Sequence, residues 1–295
     1  MSKVWLITGC SRGLGRELAK AVLESGDKLV ATARHPEQLR DIIEPHGNRA
    51  IARQLDVTKP AAARAAVAAA TSAFGRLDVL VNNAGYANTN SIEDVSEEDF
   101  RAQFETNFFG AFHVTRAALP VFRNQKSGHV VQISSIGGRQ GTAGLGAYQS
   151  AKWALEGLSE VLAREVAPLG IHVTLVEPGG FKTDWGGSSM RVEKPSAAYE
   201  QTVGAMAKHR EDGGTMRGDP EKAAQAILQI ASHPNPPLRL LLGTDAVFLA
   251  GVIASARQAE DEKWRALSRS TDFTGLPDFA ETPIAKELLA QRNGR

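Results

Sequence analysis

Tyr148 and Lys152 are four residues apart, a spacing that places both side chains on the same face of a helix. A phenol has a pKa of about 10 and exchanges protons poorly at neutral pH, but a nearby ammonium stabilises the phenolate and lowers that pKa. Ser134 and Ser135 end the strand predicted before this helix, at the carboxyl edge of the sheet, where ligands bind. The pattern predicts proton transfer at a bound oxygen.

A glycine-rich loop follows the first predicted strand and opens a helix. It reads Thr8-Gly9-Cys10-Ser11-Arg12-Gly13-Leu14-Gly15. Gly9 allows a tight turn, Gly13 lets backbone N–H groups approach a pyrophosphate, and Gly15 permits close packing of helix on strand. The spacing G-x-x-x-G-x-G differs from the commoner G-x-G-x-x-G, but its position between strand and helix favours dinucleotide binding.

The end of the second predicted strand should distinguish NAD from NADP. An acidic residue there would bind a ribose hydroxyl and repel a phosphate, but the chain reads Ala31-Thr32-Ala33-Arg34-His35, without a carboxylate. Arg34 and Arg12 can both form charge-assisted hydrogen bonds to a 2′-phosphate. Two arginines at converging loop positions therefore predict NADP (NADPH) as the cofactor, although either alone would read as a solvated surface residue.

Short apolar runs that alternate with stretches of helical spacing position these residues. The alternation predicts an α/β fold, a doubly wound seven-stranded parallel sheet (Rossmann fold) with helices on both faces. The first helix carries Leu14, Leu18 and Val22 on one face and stops near Gly26. We expect strands over 4–8, 28–33, 50–55, 78–82, 129–134, 172–176 and 238–242, and further helices over 61–74, 97–122 and 147–166.

Two regions depart from this alternation. Residues 183–220, after the sixth strand, are polar and rich in glycine, and we expect them to cover a site as a substrate loop. Trp185, Met190 and Tyr199 in this insertion indicate an apolar pocket, although core packing would explain them as well. We expect one NADP-binding catalytic domain over residues 1–260, with a charged C-terminal extension, 261–295, packed on the domain or at an interface.

Composition excludes several classes of function. A formal net charge of +1 over 295 residues gives no positive potential for nucleic acid or anionic lipid. Cys10 is the single cysteine, which fits a reducing cytoplasm, and the N-terminus shows no signal peptide. The most apolar stretch, 238–256, contains Arg239 and Asp245, so we expect a buried strand and a surface helix rather than a membrane span.

Taken together, these motifs resemble the short-chain dehydrogenase/reductase family over roughly residues 3–243. The resemblance rests on residues that occur in the family's order: the loop 8–15, Asp56-Val57, Asn82-Asn83-Ala84-Gly85, Asn107, Ser135, Tyr148 with Lys152, and Pro178-Gly179 followed by Thr183. The departures are the insertion after Thr183 and the residues beyond the last strand. They leave the substrate open.

The resemblance implies four catalytic residues. Tyr148 would exchange a proton with the substrate oxygen, and Lys152 would lower the pKa of that phenol and hold the nicotinamide ribose. Ser135 would polarise the substrate oxygen, with Ser134 as its structural neighbour. Asn107 would keep a helix backbone open to a water that relays protons to Lys152.

The resemblance also implies the cofactor contacts. Asp56 and Val57 would border the adenine, residues 83–85 would line the adenosine ribose, and Phe181 with Thr183 would meet the carboxamide. The predicted cofactor-binding residues are Gly9, Ser11, Arg12, Gly13, Leu14, Gly15, Arg34, Asp56, Val57, Asn83, Ala84, Gly85, Tyr148, Lys152, Pro178, Gly179, Phe181 and Thr183.

The sequence therefore predicts an NADP(H)-dependent oxidoreductase that moves a hydride between nicotinamide and a small-molecule carbonyl or secondary alcohol. We expect a homodimer or homotetramer, with no nucleic-acid or membrane partner. A non-catalytic, NADP(H)-sensing regulator on the same fold is the alternative. A metal enzyme is disfavoured because the histidines are dispersed, and a serine hydrolase because no G-x-S-x-G occurs.

Overall fold

The apolar runs of the sequence form the strands of the fold in the computed structural model, which describes residues 2–183, 190–211 and 216–293. The central strands are buried along their whole length, so they read as continuous apolar runs rather than as alternating patterns. The strands are β1 (Val4–Ile7), β2 (Lys28–Ala33), β3 (Ala50–Gln54), β4 (Val79–Asn82), β5 (Ala87–Thr89), β6 (Gly128–Ile133), β7 (Ile171–Pro178), β8 (Met190–Val192) and β9 (Arg239–Leu242).

Seven of these strands form one sheet in the order β3-β2-β1-β4-β6-β7-β9. Every neighbouring pair in it is parallel. The prediction of a doubly wound, seven-stranded parallel sheet is confirmed. The chain order reverses between β1 and β4, so the loops that follow these two strands diverge and leave a crevice at the carboxyl edge of the sheet.

Helices cover both faces of the sheet and bury two apolar clusters. On one face Leu18 and Ile227 lie in the core against Trp5, and on the other Val67 and Val114 pack against Leu80. The helices are α1 (Gly13–Glu24), α2 (Arg40–Ile43), α3 (Pro60–Phe74), α4 (Glu97–Phe104), α5 (Gly110–Gln125), α6 (Gly146–Val166), α7 (Ala205–Glu211), α8 (Pro220–Ala231), α9 (Thr244–Arg269) and α10 (Pro283–Asn293).

Two features differ from the sequence prediction. The single helix expected over 97–122 is divided into α4 and α5 by a π-helical turn, Glu105–Phe109. The turn widens because the Asn107 side chain, rather than its backbone, donates to the carbonyl of Gln103. The pair β5 and β8 was not predicted, and it joins the insertion to the segment that follows β4, with Ala87 opposite Met190.

The chain divides into two compact units, Met1–Ala250 and Gly251–Arg295. The first contains the whole sheet and forms a single Rossmann-fold domain, which the sequence placed over residues 1–260. In the second, large apolar side chains such as Trp264 and Phe273 are exposed and Ala285 is buried. The packing of the C-terminal extension stays a prediction. Among the described residues, no helix combines the length and the apolar character that crossing a bilayer requires.

Candidate active site

The glycine loop approaches the end of β4 closely. Gly9 and Gly13 have φ values of +72° and +58°, in the left-handed region that favours glycine. A Cβ on Gly9 would lie 2.9 Å from the Cα of Ala84, so the loop and the β4 edge leave no room for a side chain there. No described side chain caps the N-terminus of α1, so its first N–H groups can bind an anion.

Asn83 ties the glycine loop to the end of β4. Its Nδ2 donates to the carbonyls of Thr8 (2.9 Å) and Gly9 (3.0 Å). Gly15 lies directly beneath this amide, since an added Cβ would collide with Asn83 Nδ2. The structure therefore places Gly15 under the loop, where it allows close packing, and away from the cleft described next.

A cleft of about 830 Å³ opens at the crevice between the ends of β1 and β4. Pockets of this size, a few hundred to about 1,000 Å³, are typical of ligand sites. Every predicted site residue except Gly15 lines it: Gly9, Ser11, Arg12, Gly13, Leu14, Arg34, Asp56, Val57, Asn83, Ala84, Gly85, Asn107, Ser135, Tyr148, Lys152, Pro178, Gly179, Phe181 and Thr183.

The cleft also contains residues that the sequence did not single out. Thr58 and Lys59 line it directly after Asp56-Val57, so adjacency to that pair was an available signal. Tyr86 follows Gly85 in the same way, whereas Ser134, which also lines the cleft, was predicted as the structural neighbour of Ser135. Glu105 and Thr106 come from the π-helical turn, which has no local signature in the sequence.

The outer part of the cleft is cationic. The side chains of Arg12 and Arg34 are exposed, and within the described residues neither lies at salt-bridge distance from a carboxylate. Asp56 lines the same part of the cleft, and its Oδ1 accepts hydrogen bonds from the Thr58 backbone (3.0 Å) and hydroxyl (2.8 Å). The two guanidiniums can therefore bind a phosphate without first breaking an internal ion pair.

Tyr148 and Lys152 lie together on the buried face of α6, each only 5% exposed. The Lys152 Nζ donates to the carbonyl of Ile133 (2.7 Å) and lies 5.6 Å from the centre of the Tyr148 ring. Burial lowers the pKa of Lys152 to about 8, and the nearby Glu156 carboxylate acts in the opposite direction. The i, i+4 spacing thus places an ammonium beside the phenol, as the sequence predicted.

Ser135 begins the short loop between β6 and α6. Its Oγ accepts a hydrogen bond from the Gly137 N–H (3.0 Å), which leaves the hydroxyl hydrogen for donation into the cleft. Two side chains of α6 hold this loop: Trp153 Nε1 donates to the Gly137 carbonyl (3.1 Å), and Gln149 Oε1 accepts from the Thr142 N–H (2.6 Å). The loop that begins with the serine is therefore held against the same helix that carries the tyrosine.

Asn107 lies at the inner wall of the cleft, in the π-helical turn. Its Nδ2 donates to the carbonyls of Tyr86 and Gln103, both at 2.8 Å, and its Oδ1 accepts from the Tyr86 N–H at 3.1 Å. A Cβ on Gly85 would lie 2.5 Å from Asn107 Oδ1 and 3.7 Å from Lys152 Nζ. The predicted catalytic residues Asn107 and Lys152 therefore meet beside Gly85.

The loop after β7 closes the far side of the cleft. The Gly180 N–H donates to Asp245 Oδ2 (2.7 Å), and a Cβ on Gly179 would collide with that carboxylate. Phe181 forms a backbone bridge with Gly218, so the end of the insertion holds this loop in place. Sequence reasoning named Asp245 only as a charge within an apolar stretch and did not predict its contact with this loop, because it lies in a helix far along the chain.

The three apolar residues that the sequence singled out in the insertion lie in different environments. Met190 packs against a small buried cluster of Ala87, Leu145 and Tyr148, next to the phenol. Tyr199 instead donates its hydroxyl to Glu93 (2.5 Å) on an exposed surface. Trp185 lies outside the described residues. Of the three residues, only Met190 supports the prediction of apolar surroundings near Tyr148.

The side chains that rival chemistries would need are not arranged for them. Burial raises the pKa of the Cys10 thiol to about 12, so at neutral pH it is not a thiolate nucleophile. In the described part of the chain, no three His, Cys, Asp or Glu side chains come together as metal ligands would.

Comparison with known proteins agrees with this geometry. A family model described as short chain dehydrogenase matches residues 3–193. Oxidoreductase BOA17 of Botryotinia fuckeliana is 51% identical over 270 residues, which cover 91% of this chain and 98% of that protein. The solved structure of a short-chain dehydrogenase from Streptomyces avermitilis has a TM-score of 0.86 and 44% identity, and covers 92% of this chain and 100% of that one.

More distant solved structures contain nicotinamide cofactors. An alcohol dehydrogenase from Thermococcus sibiricus, complexed with 5-hydroxy-NADP, has a TM-score of 0.68 and 27% identity, with 82% of this chain and 96% of that chain covered. A 3-ketoacyl-(acyl-carrier-protein) reductase from Brucella melitensis, complexed with NADH, has a TM-score of 0.70 and the same identity and coverages. Similar proteins thus bind either cofactor.

Proposed function

This chain belongs to the short-chain dehydrogenase family, and on that premise we propose that it is an NADP(H)-dependent oxidoreductase with Tyr148 as its general acid and base. Its reaction would interconvert a carbonyl and a secondary alcohol. The observation that supports this most directly is the meeting of Tyr148, Lys152 and Ser135 in one cleft, beside the glycine loop.

The cofactor fits the residues that line the cleft. The uncapped N-terminus of α1 and the left-handed Gly13 would hold the pyrophosphate, and Arg12 with Arg34 would hold the 2′-phosphate of NADP. The end of β2 carries no carboxylate that would repel this phosphate. The bound dinucleotide would supply the hydride in reduction and accept it in oxidation.

The side chains of the cleft would handle the proton. Ser135 would donate a hydrogen bond to the substrate oxygen and so stabilise the negative charge that develops there during reduction. Tyr148 would then give its proton to that oxygen, and the Lys152 ammonium beside the ring would stabilise the phenolate that remains. Asn107 shapes the wall against which Lys152 lies. Met190 would support the position of Tyr148 by packing against the buried cluster of Ala87, Leu145 and Tyr148.

The test is a Tyr148→Phe variant assayed for NADPH consumption against a panel of ketones and aldehydes. Phenylalanine keeps the ring but removes the proton, so turnover should fall at least about 100-fold while NADPH still binds, within the range that acid–base catalysis contributes. Tyr199→Phe is the matched control, because it removes an exposed hydroxyl outside the cleft. Equal turnover by Tyr148→Phe and the wild type would refute the mechanism.

The same experiment separates the enzyme from a non-catalytic sensor of NADP(H). A sensor would bind NADPH with no turnover of any carbonyl by the wild type, and Tyr148→Phe would then change nothing. We further propose a cytoplasmic homodimer or homotetramer, in which residues 183–220 cover the cleft. Light scattering on the purified chain would give the number of subunits.

A further inference from the structure

A charge network with two buried carboxylates, Glu156 and Glu177, lies behind the catalytic helix. Arg239 of β9 donates to Glu156 (2.9 Å) and Glu160 (3.1 Å) of α6. It also lies 3.7 Å from Glu177 of β7, a carboxylate with no exposed surface. Arg139, in the loop that follows Ser135, binds the same Glu177 through two hydrogen bonds of 2.8 and 2.6 Å. We refer to Arg139, Glu156, Glu160, Glu177 and Arg239 as the α6 charge network.

The network reaches the catalytic residues through Glu156. This residue lies one helical turn after Lys152 on the same face of α6, and both are buried. Ser134, next to the catalytic Ser135, lies close enough for its hydroxyl to lower the pKa of Glu156, although the geometry of a hydrogen bond is not met. A Cβ on Gly138 would touch both Ser134 Oγ (2.9 Å) and Glu156 Cγ (3.0 Å). The carboxylate is therefore packed against the serine loop.

The carboxylate of the network that lies beside Lys152 is that of Glu156. Three guanidiniums face the three carboxylates of the network, because Glu160 also pairs with Arg164 (3.0 Å), so the network as a whole is balanced in charge. A buried ammonium is costly unless an opposite charge lies close to it. Glu156 is the carboxylate of this network whose charge acts on Lys152. A carboxylate is thus located one helical turn from the lysine of the proposed mechanism.

We propose that Glu156 is a positioning residue for the proton-transfer step, whose carboxylate, held by Arg239, keeps the buried Lys152 in its ammonium form. The inference rests on the proposed function, since it assigns Glu156 a role through Lys152. Glu156 touches neither the cleft nor a reacting atom. Its effect is electrostatic: without the negative charge, the desolvated lysine would lose its proton at a lower pH.

The groups that face this pair come from several elements. On α6, Lys152 is faced by Tyr148 and Glu156. From other elements it is faced by the Ile133 carbonyl of β6 and by Gly85, beside which Asn107 also lies. The pKa of Glu156 is raised above its ordinary value, mainly by burial. The neighbouring Glu177 carboxylate raises this pKa further, whereas the Arg239 guanidinium lowers it. The hydrogen bond from Arg239 to Glu156 (2.9 Å) favours the carboxylate form and so opposes the effect of burial.

The test is the alkaline limb of the pH profile of kcat/KM. Deprotonation of Lys152 removes the cation, so this limb should follow its pKa, about 8 in the wild type. Glu156→Gln keeps the shape and the hydrogen bond to Arg239 but removes the charge, and the limb should move down by about one pH unit. At pH 8, kcat/KM relative to its low-pH plateau should then be about fivefold lower in Glu156→Gln than in the wild type, because a pKa one unit lower leaves about a tenth rather than about half of Lys152 protonated.

Glu160→Gln is the matched control. Glu160 lies on the same helix and also binds Arg239, but its side chain is 40% exposed, so the limb should stay at the wild-type position. Glu156→Asp retains the charge and should restore the wild-type profile. If glutamine is not accommodated, Glu156→Met removes the same charge with an apolar side chain of similar volume and should give the same shift.

The outcomes separate this inference from the proposed function. Full turnover by Tyr148→Phe would refute the proposed function in its central element, Tyr148 as the general acid and base. A normal loss in Tyr148→Phe, together with superimposable profiles for Glu156→Gln and the wild type, would overturn only the role of Glu156. Equal shifts in Glu156→Gln and Glu160→Gln would also overturn it, because they would assign the effect to Arg239. A titration of ¹³Cε-labelled lysine by NMR should show the same shift of Lys152 without any turnover.

Discussion

Reversing the charge at Arg34 should change the cofactor preference of the enzyme. Arg34 is exposed at the end of β2, so its pairing with a 2′-phosphate would contribute about 1.5 kcal/mol, the lower part of the range for hydrogen bonds to charged groups. Arg34→Asp removes this pairing and adds a repulsion of similar size, a total of about 3 kcal/mol. The Kd of NADPH should therefore rise roughly 100-fold, since each 1.4 kcal/mol is about tenfold.

The assay is fluorescence titration of NADPH and NADH at two salt concentrations. NADH lacks the phosphate, so its Kd should change less than about twofold. Because the pair is exposed, the wild-type preference for NADPH should shrink as salt shortens the Debye length from about 30 Å at 0.01 M to about 3 Å at 1 M. Arg53→Asp, on the neighbouring β3 and outside the cleft, is the control. An unchanged NADPH preference in Arg34→Asp would refute the phosphate assignment.

Two further predictions concern stability. The pKa of Lys152 is about 8 in the folded chain, against an ordinary lysine value of 10.5. Between these two pH values the unfolded chain binds more protons than the folded chain. The contribution of Lys152 to the stability of the wild type therefore rises with pH over this range, by roughly 3 kcal/mol. Lys152→Met, which cannot titrate, should therefore be inactive but more stable than the wild type at pH 7, with the difference shrinking towards pH 10.5; a constant difference in melting temperature would contradict this. Glu177→Ala leaves Arg139 without its buried partner and should cost about 3–5 kcal/mol in chemical denaturation, whereas Glu97→Ala, which breaks the exposed pair with Arg101, should cost less than about 0.5 kcal/mol. Equal costs would show that burial does not set the energy of these pairs.

The parts of the fold that follow from local pattern were predictable. Apolar runs such as Val4–Ile7 are buried on both sides, and glycine at position 13 matches a left-handed backbone. The meeting of Tyr148 and Lys152 follows from helical spacing alone. These features depend on a few neighbouring residues, so the sequence contains the information in one place.

Other features depend on contacts between distant segments. The π-helical turn at Asn107 forms because its side chain binds Tyr86, 21 residues earlier, while the apolar spacing continues through it unchanged. The parallel pair of β5 with β8 joins segments 103 residues apart, as the bond from Asn90 to Glu193 shows. The α6 charge network likewise combines residues from α6, β7, β9 and the loop after Ser135, each of which resembles a surface charge when the sequence is considered alone. No local pattern encodes such pairings.

A crystal structure of the chain with NADP⁺ bound would decide whether the cleft works as proposed. We expect the nicotinamide ring beside Tyr148 and Ser135, with Lys152 contacting its ribose and the 2′-phosphate between Arg12 and Arg34. A structure in which the Tyr148 hydroxyl points away from the nicotinamide, with no other side chain able to replace it as proton donor, would contradict the proposed mechanism.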